Sequence, residues 1–211
     1  MKKIIRSAIL AIFFIVLSLI FSCGILENDT KYAKISSGNI SSDGFVYDLY
    51  ENGAAHITGW KNPGVMLYIP DEIDGKPVTA IESSAFAGEE GIMYLKLGKN
   101  VSEIGNFAFS GCTLLLRVDG GDSVRKIGDS AFSSCAALSE IKGLSSVSDV
   151  GSSAFFMCSA LSNLSFFDRV KTIGVQSFYG CNSLTSVILS GNVTEVGENP
   201  SRTANRSIRS I

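Results

Sequence analysis

The sequence is poor in the residues from which most enzymatic and metal sites are built: 211 residues hold one histidine, one tryptophan and five cysteines. With His56 as the sole histidine, any Ser/His/Asp or Cys/His arrangement has to run through that position. Structural zinc patterns are excluded by spacing, because four of the cysteines lie 23 residues apart, without a CxxC pair or a second histidine. Carboxylates such as Asp119, Asp122, Asp129 and Glu140 stand singly, with no calcium-loop spacing, and no glycine loop of the phosphate-cradling type occurs. Neither a metal nor a cofactor is expected, and no enzymatic activity. His56, within AAHITGW beside an expected hairpin, reads as a surface or packing residue.

Charge is also scarce, 18% of residues with a net charge of −2, and the 45% hydrophobic content belongs to a chain that builds a core. Proline is rare as well, four against 21 glycines, which points to many regular tight turns rather than a proline-rich linker. No basic run suited to nucleic acid appears. Arg202, Arg206 and Arg209 near the C-terminus read as part of a solvated tail.

The one long hydrophobic run stands at the start. MKKIIRSAILAIFFIVLSLIFSCG places Lys2, Lys3 and Arg6 before an apolar stretch from Ala8 to Phe21, the layout of a secretory signal. Its end, Leu19-Ile20-Phe21-Ser22-Cys23, resembles a bacterial lipoprotein box, although Phe21 stands where a smaller residue is usual. The resemblance implies cleavage before Cys23 and a lipid on its thiol. An uncleaved anchor is the alternative, since Ile4 to Ser22 approaches the ~18 to 20 apolar residues of a membrane span. Either way the remainder is expected to be exported and held at a membrane. Cleavage removes three of the 18 basic residues and none of the 20 acidic ones, moving the balance from −2 to −5.

Beyond the leader the chain repeats itself every 23 residues. VTAIESSAFAGEEGIMYLKLGKN starts at Val78, and further copies start at Val101, Val124, Val147 and Val170, with a sixth that begins at Val193 and breaks off. Each carries an aliphatic residue at the fourth position (Ile81, Ile104, Ile127, Val150, Ile173, Val196), and glycine follows at 105, 128, 151, 174 and 197. Phenylalanine recurs at 86, 109, 132, 155 and 178, and cysteine at 112, 135, 158 and 181. Such a unit is too short to bury its own apolar side, so stacked neighbours must supply the core. The closing phrase, IMYLKL at 92–97 and LTSVIL at 184–189, alternates as a half-buried strand does. The polar residues before Ala-Phe suggest a short helical turn, and the glycine suggests a backbone conformation that other residues resist.

The phrase I-G-x-x-A-F-x-x-C-x-x-L-x-x-I on this period resembles the BspA-like, or treponemal-type, bacterial leucine-rich repeat, over Val78 to Gly197. The resemblance implies a right-handed solenoid with a parallel β-sheet on its concave face and short helical turns and loops on the other side. GFVYDLYENGAAHITGW and then VMLYIPDEIDGKPVTAIESSAF resemble the lead-in of such proteins, an N-terminal β-hairpin cap with a first strand that covers this end of the solenoid. The expected organisation is a signal peptide over 1–22, a lipidated flexible tether over 23–42, a β cap over 43–77, repeats over 78–198 and a tail over 199–211. Pro200-Ser201 replaces Ala-Phe in the sixth copy, so the tail, a partner or a shortened end finishes the stack.

Members of such a family are implied to be surface-exposed or secreted and to bind proteins. The expected site is accordingly the outward face of the sheet. Tyr94, Arg117, Glu140, Asn163 and Ser186 form one column there, and Lys96, Asp119, Lys142, Ser165 and Ile188 the other. Tyr94, Lys96, Arg117, Asp119, Glu140, Lys142 and Phe167 are the candidate ligand-binding residues, with charges alternating along each column. The same charges would also serve solubility alone through cross-strand pairing. A protein ligand on a host matrix or cell surface is the first expectation for a partner, a scaffolding partner within the cell envelope the second. The repeat cysteines read as core-facing free thiols.

Overall fold

The computed structural model describes residues 32–62, 64–164, 167–185, 187–189, 191–198 and 208–210. The expected signal peptide and Cys23 lie outside these residues. So do the first nine positions of the expected tether, 23–31.

The described residues open with three antiparallel strands, β1 (Lys34–Ile40), β2 (Phe45–Tyr50) and β3 (Ala55–Trp60). β2 and β3 are the expected cap hairpin. β1 corrects the tether, because the expected flexible segment is a strand from Lys34 onward. Its polarity misled: β1 is an edge strand whose side chains are mostly exposed, and it is held through backbone pairing and the Lys34–Asp48 ion pair at 2.5 Å. β4 (Met66–Tyr68), β5 (Glu72–Ile73) and β6 (Lys76–Ile81) lead into the repeats.

From there the repeats contribute alternating strands, β7 (Tyr94–Leu97) and β8 (Glu103–Ile104), β9 (Arg117–Gly120) and β10 (Lys126–Ile127), β11 (Glu140–Gly143) and β12 (Asp149–Val150). β13 (Thr172–Ile173), β14 (Val187–Leu189), β15 (Glu195–Val196) and β16 (Ile208–Ser210) complete the set. The aliphatic fourth position pairs with its own counterpart in the next copy, Ile81 with Ile104, Ile127, Val150, Ile173 and Val196 in turn, so β6, β8, β10, β12, β13 and β15 form a parallel ladder. β3 pairs parallel with β6 and occupies the place of a preceding coil, which closes this sheet with the cap. The second sheet runs β11-β9-β7-β4. Two sheets joined by turns make the coil a parallel β-solenoid, with strands ~4.8 Å apart along its axis.

The core lies between the sheets. Phe86, Phe109, Phe132, Phe155 and Phe178 stack face over face, centroids 5.2 to 5.5 Å apart and planes within 9°. Beside them, each repeat cysteine is fully buried and its thiol donates to the phenylalanine carbonyl of a preceding coil, Cys112 to Phe86 (3.1 Å) and Cys135 to Phe109 (3.2 Å) among them. The four thiols are free, and burial pushes all of them up, Cys112 and Cys181 to about 12. Where Ser177 interrupts the alanine column, its buried hydroxyl donates to the Gly174 carbonyl.

Two local expectations take another form. The helical turns before and after Ala-Phe are non-helical turns, and the one described helical segment is a 3-10 turn at Phe167–Arg169. The cause lies in the backbone: Ser84, Phe107, Ser130, Ser153 and Gln176 all have φ between 54° and 60°, the left-handed region no right-handed helix passes through. Alternate amides also donate to the next coil rather than along the chain, Phe107 to Asp129 and Phe109 to Ala131 at 2.8 Å each. The glycine column is corrected too. Gly105, Gly128, Gly151, Gly174 and Gly197 are not left-handed. Glycine is needed there because a Cβ would come within 2.3 to 2.7 Å of the preceding coil's backbone. Glu82 stands at the same phase because its preceding neighbour is β3, to whose Ile57 carbonyl its N–H donates.

Candidate functional site

The second sheet positions the candidate residues by register. Tyr94, Arg117 and Glu140 are direct neighbours across β7, β9 and β11, as are Lys96, Asp119 and Lys142. Between the columns Leu95, Val118 and Ile141 point into the core, so the period-2 alternation places the six polar or aromatic residues on one solvent face. Phe167 is not among them. It belongs to the 3-10 turn, and its side chain lies outside the description. The expected fourth strand is absent at Asn163, where the backbone is irregular; Ser165 and Ser186 fall outside the described residues, and Ile188 lies in β14, which pairs with β16 instead.

The charges pair differently from a simple alternation along the columns. Arg117 donates from Nε to Asp119 Oδ1 (2.6 Å) two residues along its own strand, and its guanidinium also lies 3.6 Å from Glu140. The Asp119 carboxylate, foremost, raises the Arg117 guanidinium further above its ordinary value. Lys142 turns to Glu140 at 2.8 Å. Lys96, expected to face Asp119, lies instead over the Tyr68 ring at 5.5 Å, a cation–π geometry. The face is thus graded, with a charged network at β9 and β11 and an aromatic end at β4 and β7.

What sequence reasoning missed is that the lead-in segment VMLYIP joins the candidate face, as β4. Met66 sits beside Tyr94 and Tyr68 beside Lys96, extending both columns by one strand, with exposures of 65% for Met66, 48% for Tyr68 and 40% for Tyr94. The signal was present in VMLYIP, whose Met-Leu-Tyr alternation matches the later strands but lies outside the 23-residue register of the repeats.

His56 is occupied structurally. Its Nδ1 lies 2.8 Å from Glu82 Oε1, to which the Tyr50 hydroxyl also donates at 2.8 Å, and its ring stacks on Tyr50. The hydrogen bond from His56, followed by that from Tyr50, holds the Glu82 carboxyl down at about 2 against the desolvation that raises it. This cluster ties the cap to the first coil. Among the described residues, no group of three or more His, Cys, Asp or Glu side chains is placed to hold a metal ion.

Coils of one length, two parallel ladders and an aliphatic ladder facing a phenylalanine stack define a leucine-rich repeat solenoid, a class whose domains generally mediate protein–protein binding. The chain belongs to the BspA type leucine rich repeat family, whose model matches residues 79–202 in six copies. Among solved structures, a leucine-rich repeat protein of T. pallidum is 28% identical, with a TM-score of 0.56, over 75% of this chain and 64% of that one. A leucine rich cell surface protein of Faecalibacterium prausnitzii is 24% identical (TM-score 0.62; 82% and 52% covered). A leucine-rich repeat protein of Bacteroides ovatus is 23% identical (TM-score 0.54; 78% and 57% covered). The chain therefore spans between about half and two thirds of the length of these relatives. No curated protein matches it.

Proposed function

We propose that this protein is an exported lipoprotein, anchored through Cys23, whose solenoid binds another protein through the solvent face of the β4-β7-β9-β11 sheet. The observation that carries the reading is the in-register face itself: Tyr94 stands half exposed beside Arg117, on the face that also presents Asp119, Glu140 and Lys142. Exposed aromatic and arginine side chains beside charges are the commoner anchors of protein interfaces. The basic-apolar leader ending in Ser22-Cys23 supports export and a lipid anchor. By family resemblance the ligand is an extracellular-matrix or cell-surface protein, and the role is adhesion or host interaction.

Three experiments test this. Palmitate labelling of producing cells marks the wild-type chain and not Cys23→Ser; labelling of both removes the anchor. Protease added to intact cells degrades the domain if it faces outward. Protection until the outer envelope is opened favours the alternative, a scaffolding protein within the cell envelope. For the face itself, Tyr94→Ala weakens ligand binding by at least about tenfold if Tyr94 is an anchor, and an unchanged affinity removes it from the account.

A further inference from the structure

The binding sheet ends on β4, and among the described residues nothing pairs with the outer side of that strand. In a parallel ladder alternate residues turn their backbone groups toward the neighbour. The Val65 carbonyl accepts from Met93 and Tyr94 (2.8 and 3.1 Å) and the Ile69 N–H donates to Lys96 (2.8 Å), so Val65, Leu67 and Ile69 face β7. Met66 and Tyr68, between them, turn their N–H and C=O groups to the open side. Two other edges are guarded. β1 is interrupted by two register shifts and carries Lys34, both of which blunt an edge. Beyond β11 the next coil follows, its Ser162 hydroxyl reaching the Ser139 carbonyl at 3.5 Å. β4 pairs with β7 in unbroken register and has no such device.

The side chains around this edge set the chemistry of what fits. Met66 and Tyr68 expose apolar surface while Leu67 is fully buried. Lys96 reaches back toward the edge, its Nζ over the Tyr68 ring. The neighbouring carboxylates are engaged elsewhere, Asp119 by Arg117, Glu140 by Arg117 and Lys142, and Asp71 by Lys99. Among the described residues Lys96 makes no ion pair, Asp71 acting on it only at longer range while bonded to Lys99, so a cation stands over an open, apolar strand edge.

We propose that β4 accepts an added β-strand from the partner protein, an extended segment with an apolar residue beside Met66 and a carboxylate two residues along, beside Tyr68, where it meets Lys96. The proposal rests on the reading of this sheet as the binding face and names the partner's contacting chemistry. Backbone bonds to Met66 and Tyr68 supply affinity, and the apolar–acidic alternation supplies selectivity.

The probe is a synthetic peptide, Val-Thr-Glu-Thr-Val-Thr-Glu, titrated into the ¹⁵N-labelled full chain in detergent micelles, with a second peptide in which lysine replaces glutamate. Amide shifts are expected at residues 65–69 and 94–97. Binding is about fivefold weaker for the lysine peptide and for Lys96→Glu, and is lost in Met66→Pro, which removes an outward N–H but no bond to β7. Equal affinity of Lys96→Glu for the glutamate peptide overturns the proposal, as do shifts confined to residues 117–142 or no shifts at all. If binding of an extracellular-matrix ligand falls with Arg117→Glu and Lys142→Glu but not with Lys96→Glu, the face stands and strand addition at β4 falls.

Discussion

Replacing Gly151 by alanine tests the close approach on which the stacking depends. Its Cβ would lie 2.6 Å from the Asp129 nitrogen and 2.6 Å from the Gly128 carbonyl carbon. That is ~0.9 Å inside the ~3.5 Å at which heavy atoms make ordinary contact. Both are backbone atoms, so relief requires the coils to part. The bonds stretched are Gly151 N–H to the Ile127 carbonyl (2.8 Å) and Ser152 N–H to the Asp129 carboxylate (2.7 Å). Overpacking of this kind costs ~1–3 kcal/mol, which at ~2–4 °C per kcal/mol lowers Tm by roughly 2–12 °C. Gly91→Ala is the control: its Cβ meets nothing within 4 Å and its φ lies outside the left-handed range. It is expected to be neutral or to gain ~0.4–1 kcal/mol through a less flexible unfolded chain. Urea unfolding followed by circular dichroism measures both. A Gly151→Ala midpoint equal to wild type would refute close approach as the reason for the glycine column.

Four further outcomes follow from the same geometry. Phe132→Ala, at the centre of the phenylalanine stack, lowers stability by ~3–5 kcal/mol, and a loss under 1 kcal/mol in urea unfolding contradicts the stack as core. Ser134→Gly relieves a left-handed residue (φ 62°) at a phase where Gly88, Gly111 and Gly180 already stand, and gains about 1 kcal/mol; a loss argues for an unrecognised side-chain role. In thiol titration the repeat cysteines resist reagent in the native chain at pH 8 and react on denaturation, because burial raises them well above the assay pH. For Glu82 the folded pKa, about 2, lies below the ordinary 4.5, so its contribution is present above pH 4.5 and is lost as pH falls toward 2. Glu82→Gln flattens stability in that window, and an unchanged acid limb dissociates the His56–Glu82–Tyr50 cluster from cap docking.

The repeat was legible because its cause is local and periodic: an aliphatic, a phenylalanine, a cysteine and a leucine recur at fixed phase, and each column is a core column. The six charged and aromatic face residues followed from alternation alone. What stayed hidden depends on contacts between coils. The glycine at 128 or 151 looks in sequence like any turn glycine, and only the 2.5 to 2.7 Å approach to the previous coil distinguishes it. Left-handed Phe107 and Met157 carry no compositional mark, so the turn they bend read as helical. β1 lacked the apolar alternation of a strand because its side chains are mostly exposed and neither of its faces packs into the core. Charge pairing was half legible. Arg117 does meet Glu140, but its shorter bond goes to Asp119 along the strand, and Lys96 chooses an aromatic ring on a strand outside the repeat register.

Protein binding is assigned above to the solvent face of the β4-β7-β9-β11 sheet. Its direct measurement is surface plasmon resonance of the full chain in detergent over immobilised extracellular-matrix extract, comparing wild type with the double substitution Arg117→Glu and Lys142→Glu. Saturable binding is expected to weaken at least about tenfold in the double variant, with a Tm lowered by no more than ~4 °C because exposed ion pairs contribute little. Saturable binding of equal strength by both proteins would contradict it.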